Sequence, residues 1–406
     1  MKIAYIATYP PRECGIGTYT HNKFLAVQHC ETAIEEGHEG IVIAMNDQEN
    51  TYDYPKEVKF TIRQEQQGDY MEAAKFINKS GAGICILEHE FGIFGGKDGS
   101  FILSLLHQLT IPVIAVLHTV LKSPSYNQRA ITNEISRMAV KTVVMSYKAV
   151  EFLMEVYGIA KDKIEIIEHG VPDLTFNQEI VKKEFNLGNK NVLLTFGLIS
   201  RNKGIETVLK ALPPVVARHP ETIYIILGKT HPAVVRHSGE EYRNYLQQLV
   251  KELKIENHVL FVNEFVDQNK LGRYLSAADI YVTPYLNEAQ ITSGTLSYAV
   301  GAGCAVVSTP YWHACELLSE DRGRLFNFND YKQLSSIFLD LLDHHEVLNQ
   351  LRGKAYDYGR KITWPMTGEK YIELAKTIIQ QQSGKSAKKE AIINPLLLPP
   401  FSLEHI

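Results

Sequence analysis

Short apolar runs rich in Val and Ile recur along the chain, each followed by a longer helix-like stretch. That alternation predicts parallel α/β units. In the first half, strands are predicted at "KIAYIAT", "GIVIAM", "VKFTI", "GICILEH", "PVIAVLH", "KTVVMS" and "KIEIIEHG", with helices such as "MEAAKFINKS" and "FILSLLHQL" between them. A second series starts near residue 190 with "NVLLTFG", "IYIILGK", "HVLFVN", "IYVTPY", "CAVVST" and "GRLF". Two such arrays predict two facing Rossmann-like domains with a ligand cleft between them. The polar stretch "DLTFNQEIVKKEFNLGNKN" reads as a linker plus a short helix. The expected divisions are 1–172, 173–362, a terminal helix over 363–382 returning to the first domain, and 383–406 as tether and tail. Here "SGKSAKKE" reads as mobile, and the apolar "AIINPLLLPPFSLEHI" reads as a tail that docks on a folded surface, a further domain or another chain.

Composition narrows the classes. With 45% hydrophobic and 22% charged residues, the 406-residue chain has the make-up of a soluble globular protein. A net charge of −4 supplies no global basic field for nucleic acid. No apolar run reaches the ~18 residues that a membrane span requires. The opening "MKIAYIATYPPRE" reads as a first strand and not as a signal peptide. Five scattered cysteines, without metal-ligand spacing, read as reduced thiols of a cytoplasmic protein.

In open α/β sheets, ligands collect beyond the carboxyl ends of the strands, so residues that follow strands carry the candidate chemistry. Gly15 and Gly17 in "TYPPRECGIGTYT" permit close backbone approach at a helix start that attracts anions, and Arg12 adds charge. The third Gly and the downstream acid of a dinucleotide fingerprint are missing, which counts against a dehydrogenase. His89, His118 and His169 fall at three analogous strand ends. His89, between two glutamates, lacks the second His that a zinc helix places four residues away. Lys203-Gly204 supplies a cation beside a helix start, a diphosphate cradle that Arg201 could share. Ser293-Gly294-Thr295 offers backbone N–H groups at another helix start.

Taken together, the glycine loop at Gly15 and Gly17, "HGVP" at 169–172, Lys203-Gly204, "AADIYVTPY", "GAGCAVVSTPY", Glu316 and Asp330 resemble the retaining glycosyltransferases of family 4 in order and spacing. The resemblance covers residues 1–382 and implies the GT-B fold, with the acceptor on the first domain and the nucleotide-sugar donor on the second. It implies that Lys203 holds the donor diphosphate, the Gly15–Gly17 loop approaches it, His118 lies near the transferred sugar, and Glu316 lies near the nucleotide. Arg12, His89 and His169 fall on the acceptor or sugar side. The implied reaction is metal-independent hexosyl transfer to a carbohydrate or other hydroxyl acceptor, with retention of configuration and no cofactor.

The chain departs from that family at three positions. The family's two glutamates fall at Gln290 and Tyr298, with Glu288 two residues out of register. The family's Arg falls at Leu198, leaving Arg201 as the nearest substitute. Gln290 can still bond sugar hydroxyls, and the Tyr298 hydroxyl can stand in at the ribose. The expectation is therefore altered recognition, with His118, Lys203 and Gln290 as the catalytic set. A glycan phosphorylase in the same cleft and a non-catalytic sugar- or nucleotide-binding subunit are the rival readings.

Overall fold

The computed structural model describes residues 1–47, 52–174 and 176–393, with side chains to residue 382 apart from that of Ala233. All thirteen runs form strands. The first sheet contains β1 (Lys2–Ala7), β2 (Glu39–Asn46), β3 (Val58–Arg63), β4 (Ile84–His89), β5 (Val113–Leu117), β6 (Lys141–Val144) and β7 (Ile164–Ile166). The second contains β8 (Asn191–Phe196), β9 (Thr222–Leu227), β10 (Val259–Val262), β11 (Ile280–Thr283), β12 (Ala305–Ser308) and β13 (Gly323–Leu325). Their orders are β3-β2-β1-β4-β5-β6-β7 and β10-β9-β8-β11-β12-β13, and the pairings are parallel.

Parallel strands are covered by helices on both faces, so they read as continuous β-branched runs. In β1, Ile3 to Ala7 are all fully buried, and β5 is buried along its whole length. Strand order reverses between β1 and β4 and again between β8 and β11, the positions where α/β sheets open a crevice. Both crevices face the other domain.

The domains are joined where the chain crosses twice. Val171 N–H donates to Ile362 O (3.0 Å), and Trp364 N–H donates to Val171 O (2.9 Å). The last helix, Trp364–Ile393, then lies against the first helix, Gly15–His29, where the Tyr19 and Tyr371 hydroxyls meet at 3.2 Å. Pro365 occupies its first turn, where the missing N–H costs nothing. This helix also runs through 383–390, the stretch expected to be a mobile tether. One Gly there costs about 1 kcal/mol, and the neighbouring Ala and Lys residues favour helix. The tail from 394 onward, with its expected docking, lies outside the described residues.

A side chain at residue 170 has no room in this joint: a Cβ on Gly170 would lie 2.2 Å from the Trp364 ring. Gly170→Ala is therefore expected to destabilise the protein by about 1–3 kcal/mol, the usual range for overpacking. Scanning calorimetry measures this, and an unchanged unfolding profile would mean that the joint yields freely.

Candidate functional site

On the first domain, β1 leads through Thr8–Cys14 into the first helix. No side chain caps that helix start, and a Cβ on Gly15 would meet nothing within 4 Å. Its N–H groups are thus bare, as an anion site needs. Arg12 is held back from them by Asp47 (3.4 Å) and the Met45 carbonyl (3.3 Å). Its neighbour Glu13 crosses the cleft to Lys229, just past β9, at 2.6 Å.

The three strand-end histidines meet different surroundings. His89 is fully buried between Phe91 and Phe94, with neither ring nitrogen partnered, and burial lowers its pKa to about 4. His118 points Nε2 at Glu88 (2.9 Å), and its ring stands nearly perpendicular to that of Tyr19, with centroids 4.7 Å apart. His169 donates from Nδ1 to Gly170 O (2.8 Å), so its other nitrogen, Nε2, is an acceptor. Burial lowers its pKa to about 4 as well, which keeps the ring neutral. That Nε2 abuts Gly294, where a Cβ would come within 2.8 Å. A histidine of the first domain thereby touches a helix start of the second.

That helix, Gly294–Gly301, begins with Ser293 as its cap, whose Oγ accepts from Leu296 N–H. Ser293 N–H donates to Nδ1 of His313 (2.9 Å), whose pKa burial lowers to about 3. The Thr295 hydroxyl lies 2.8 Å from the Tyr285 hydroxyl and 3.2 Å from Ser293 Oγ. Opposite lies Gly197 at the end of β8, in a left-handed conformation (φ +127°), with a Cβ position 3.3 Å from the Thr295 methyl. Lys203 extends its ammonium over the Tyr285 ring, 3.8 Å from the centroid. Gly197, Lys203 and the 293–295 helix start thus form one concave, cationic cradle.

Other expected site residues turn elsewhere. Arg201 is drawn to Glu241 and stacks near Tyr242 and Tyr245, so it does not join Lys203. The Tyr298 hydroxyl accepts from Asn22 Nδ2 (2.7 Å) on the first helix, and its ring packs on His169, sealed in the domain joint. The Glu316 carboxylate accepts from the N–H groups of Tyr147 (2.9 Å) and Lys148 (3.3 Å) across the cleft. Burial raises its pKa, and those two N–H bonds pull it back. Gln290 donates to the Thr292 carbonyl and does not cap the helix. Glu288 is exposed. Among the described residues, no group of three or more His, Cys, Asp or Glu side chains could hold a metal.

Sequence reasoning did not identify His313, Tyr285, Lys229, Glu13 or the Lys23–Glu88 pair behind His118. His313 sits inside a helix, and Lys23 and Glu88 are charged residues at positions whose burial only packing reveals.

Two parallel Rossmann-like domains facing across a crevice define the GT-B architecture of glycosyltransferases. Sucrose-phosphate synthase from Thermosynechococcus elongatus shares it, with a TM-score of 0.75 at 16% identity, over 94% of this chain and 100% of that one. HepE of Anabaena, solved in complex with UDP-glucose, gives a TM-score of 0.72 at 15% identity, over 93% of this chain and 100% of that one. Residues 176–361 match the family model Glycosyl transferases group 1, so the second half of the chain carries that domain. An uncharacterized glycosyltransferase of Methanocaldococcus jannaschii is 24% identical over 324 residues, 71% of this chain and 75% of that protein. The phosphatidyl-myo-inositol mannosyltransferase of Mycolicibacterium smegmatis is 23% identical over 270 residues, 66% of this chain and 65% of that protein. Among the described residues, no helix is long and apolar enough to cross a membrane.

The contact between Tyr298 and Asn22 makes a specific claim. Tyr298→Phe leaves the buried Asn22 amide without its acceptor, a loss of about 1–3 kcal/mol. Stability is expected to fall while nucleotide affinity stays at the wild-type level. Chemical denaturation and nucleotide titration measure the two effects, and weakened nucleotide binding at unchanged stability would return Tyr298 to the ribose.

Proposed function

We propose that the protein transfers a hexosyl group from a nucleotide-sugar donor to a hydroxyl acceptor, with retention of configuration and without a metal. The observation that carries this reading is the cradle of Gly197, Lys203 and the 293–295 helix start, set opposite the bare Gly15–Gly17 helix start and His118. A departing nucleoside diphosphate accumulates charge as the sugar–phosphate bond ionises. Lys203 and two helix N-termini aimed into a shielded crevice stabilise that charge. The acceptor hydroxyl approaches the same face of the sugar from the first domain, beside His118. Gln290 reads a sugar hydroxyl where a carboxylate would otherwise stand, and the Glu316 side of the cleft borders the nucleotide. The UDP-glucose in the HepE complex and the mannosyltransferase name of one relative support a hexose donor.

Isotope exchange with UDP-, GDP- and ADP-sugars in the presence of hydroxyl acceptors and their glycosylated products, run with and without inorganic phosphate, tests the assignment. Exchange of labelled nucleoside diphosphate into one donor, independent of phosphate, is the expected result. Phosphate-dependent formation of sugar 1-phosphate would make the protein a phosphorylase. Tight donor binding with no exchange would make it the binding subunit that the sealed Tyr298 also suits.

Two substitutions test the roles within the site. Lys203→Ala is expected to lower kcat by about 10²–10³-fold, the usual loss for one preorganised electrostatic contact. A folded variant with undiminished kcat removes Lys203 from the mechanism. Gln290→Ala is expected to lower kcat/KM for the true donor far more than for the donor lacking the matching hydroxyl, because a site built to bond a hydroxyl discriminates strongly. Equal losses for both donors would sink the sugar-reading role.

A further inference from the structure

Behind His118 lies a pair of charges for which the fold alone gives no reason. Lys23, on the first helix, and Glu88, on β4, are each 0% exposed at the side chain and in direct contact. The other Glu88 oxygen takes His118 Nε2 at 2.9 Å, and the His118 side chain keeps 7% exposure. The Lys23 ammonium lies over two aromatic faces, Tyr371 at 4.3 Å and Tyr19 at 5.2 Å. Tyr371 belongs to the terminal helix, so the segment that returns from the second domain closes this chamber.

Burying a carboxylate and an ammonium costs several kcal/mol per ion, and two well-packed apolar residues are often as stable. A fully buried pair that ends on a strand-end histidine therefore points to a role beyond packing. We infer that Lys23 and Glu88 are positioning residues: the Lys23-balanced carboxylate holds His118 as the neutral Nε2–H tautomer and leaves Nδ1 free for a substrate hydroxyl. The importance of His118 rests on the glycosyl-transfer reading. The charge arrangement does not.

The electrostatics agree. A carboxylate only accepts, so the nitrogen facing Glu88 carries the hydrogen. Nδ1 has no hydrogen-bond partner among the described residues. Burial lowers the His118 pKa well below its ordinary value, and the Lys23 charge adds to this, with smaller contributions from His169 and His89. The Tyr19 and His118 rings meet nearly perpendicular, with centroids 4.7 Å apart. Burial also lowers the Lys23 pKa, while the touching carboxylate and the two ring faces favour the ammonium. The Lys23 ammonium offsets the pull of the Glu88 carboxylate on His118, and after burial it is the largest cause of the lowered His118 pKa. Were Lys23 uncharged, the lone carboxylate would raise the histidine pKa.

Long-range ¹⁵N–¹H NMR of the full chain labelled in histidine tests this without any substrate, so it can fail while glycosyl transfer stands, or hold while that reading falls. His118 signals are assigned by their loss in His118→Asn. The wild type is expected to show the Nε2–H tautomer, neutral through pH 6. Lys23→Met is expected to raise the His118 pKa by about one unit or more, the size of shift that an unbalanced neighbouring charge produces. Should Lys23→Met not fold, the uncharged pair Lys23→Met/Glu88→Gln removes both charges together and is expected to give a mixture of tautomers. A wild-type His118 in the Nδ1–H form, or one titrating at its ordinary value, overturns the proposal. So does a pKa unmoved in Lys23→Met, or a fixed Nε2–H tautomer in the double variant.

Discussion

Everything in the cleft depends on how two parallel sheets are held with their carboxyl edges facing. The chain leaves the first sheet after Ile166 and returns at Thr363, and at that crossing Val171 exchanges two backbone hydrogen bonds with its partners. Around those bonds, Trp364, Tyr19, His169 and Tyr298 pack edge to face with ring centroids 4.9–5.7 Å apart. Aromatic pairs in such arrangements add stability beyond the area they bury. The rim of the cleft is held differently, by the exposed Glu13–Lys229 pair and by the Glu316 carboxylate on two N–H groups. Exposed ion pairs contribute little, so a charged ligand could displace that contact at small cost while the aromatic joint stays intact. The joint is thus mainly aromatic and the rim mainly polar.

The electrostatics of the cleft follow from that arrangement. Two uncapped or lightly capped helix starts, at Gly15 and Gly294, and the Lys203 cation bring positive potential from both domains. The histidines at 89, 169 and 313 are kept neutral by burial, so they offer lone pairs or N–H groups without adding charge. Gln290 and Tyr298 add no charge to the cleft, and Gln290 donates to the Thr292 carbonyl. The Tyr298 hydroxyl serves the joint by accepting from Asn22.

Much of this architecture was legible in the sequence, and the reason is physical. A parallel strand covered on both faces must be apolar at every position, so "KIAYIAT" and "CAVVST" announce themselves without knowledge of their partners. The glycines that permit close approach are equally local, since only Gly leaves the space that Trp364 and His169 occupy at residues 170 and 294. The tertiary structure decided which polar groups meet. Arg201 follows the same strand as Lys203, yet Glu241, forty residues away, draws it off. Lys23 and Glu88 look like ordinary surface charges until the terminal helix lays Tyr371 over them. The sequence by itself determined the strands, the two-domain plan and the place of the cleft, because those rest on short-range burial. Which side chains serve the cleft and which serve the joint depends on contacts between residues 65 to 352 positions apart, such as Lys23 with Glu88 and Tyr19 with Tyr371, and only the packed chain fixes those contacts.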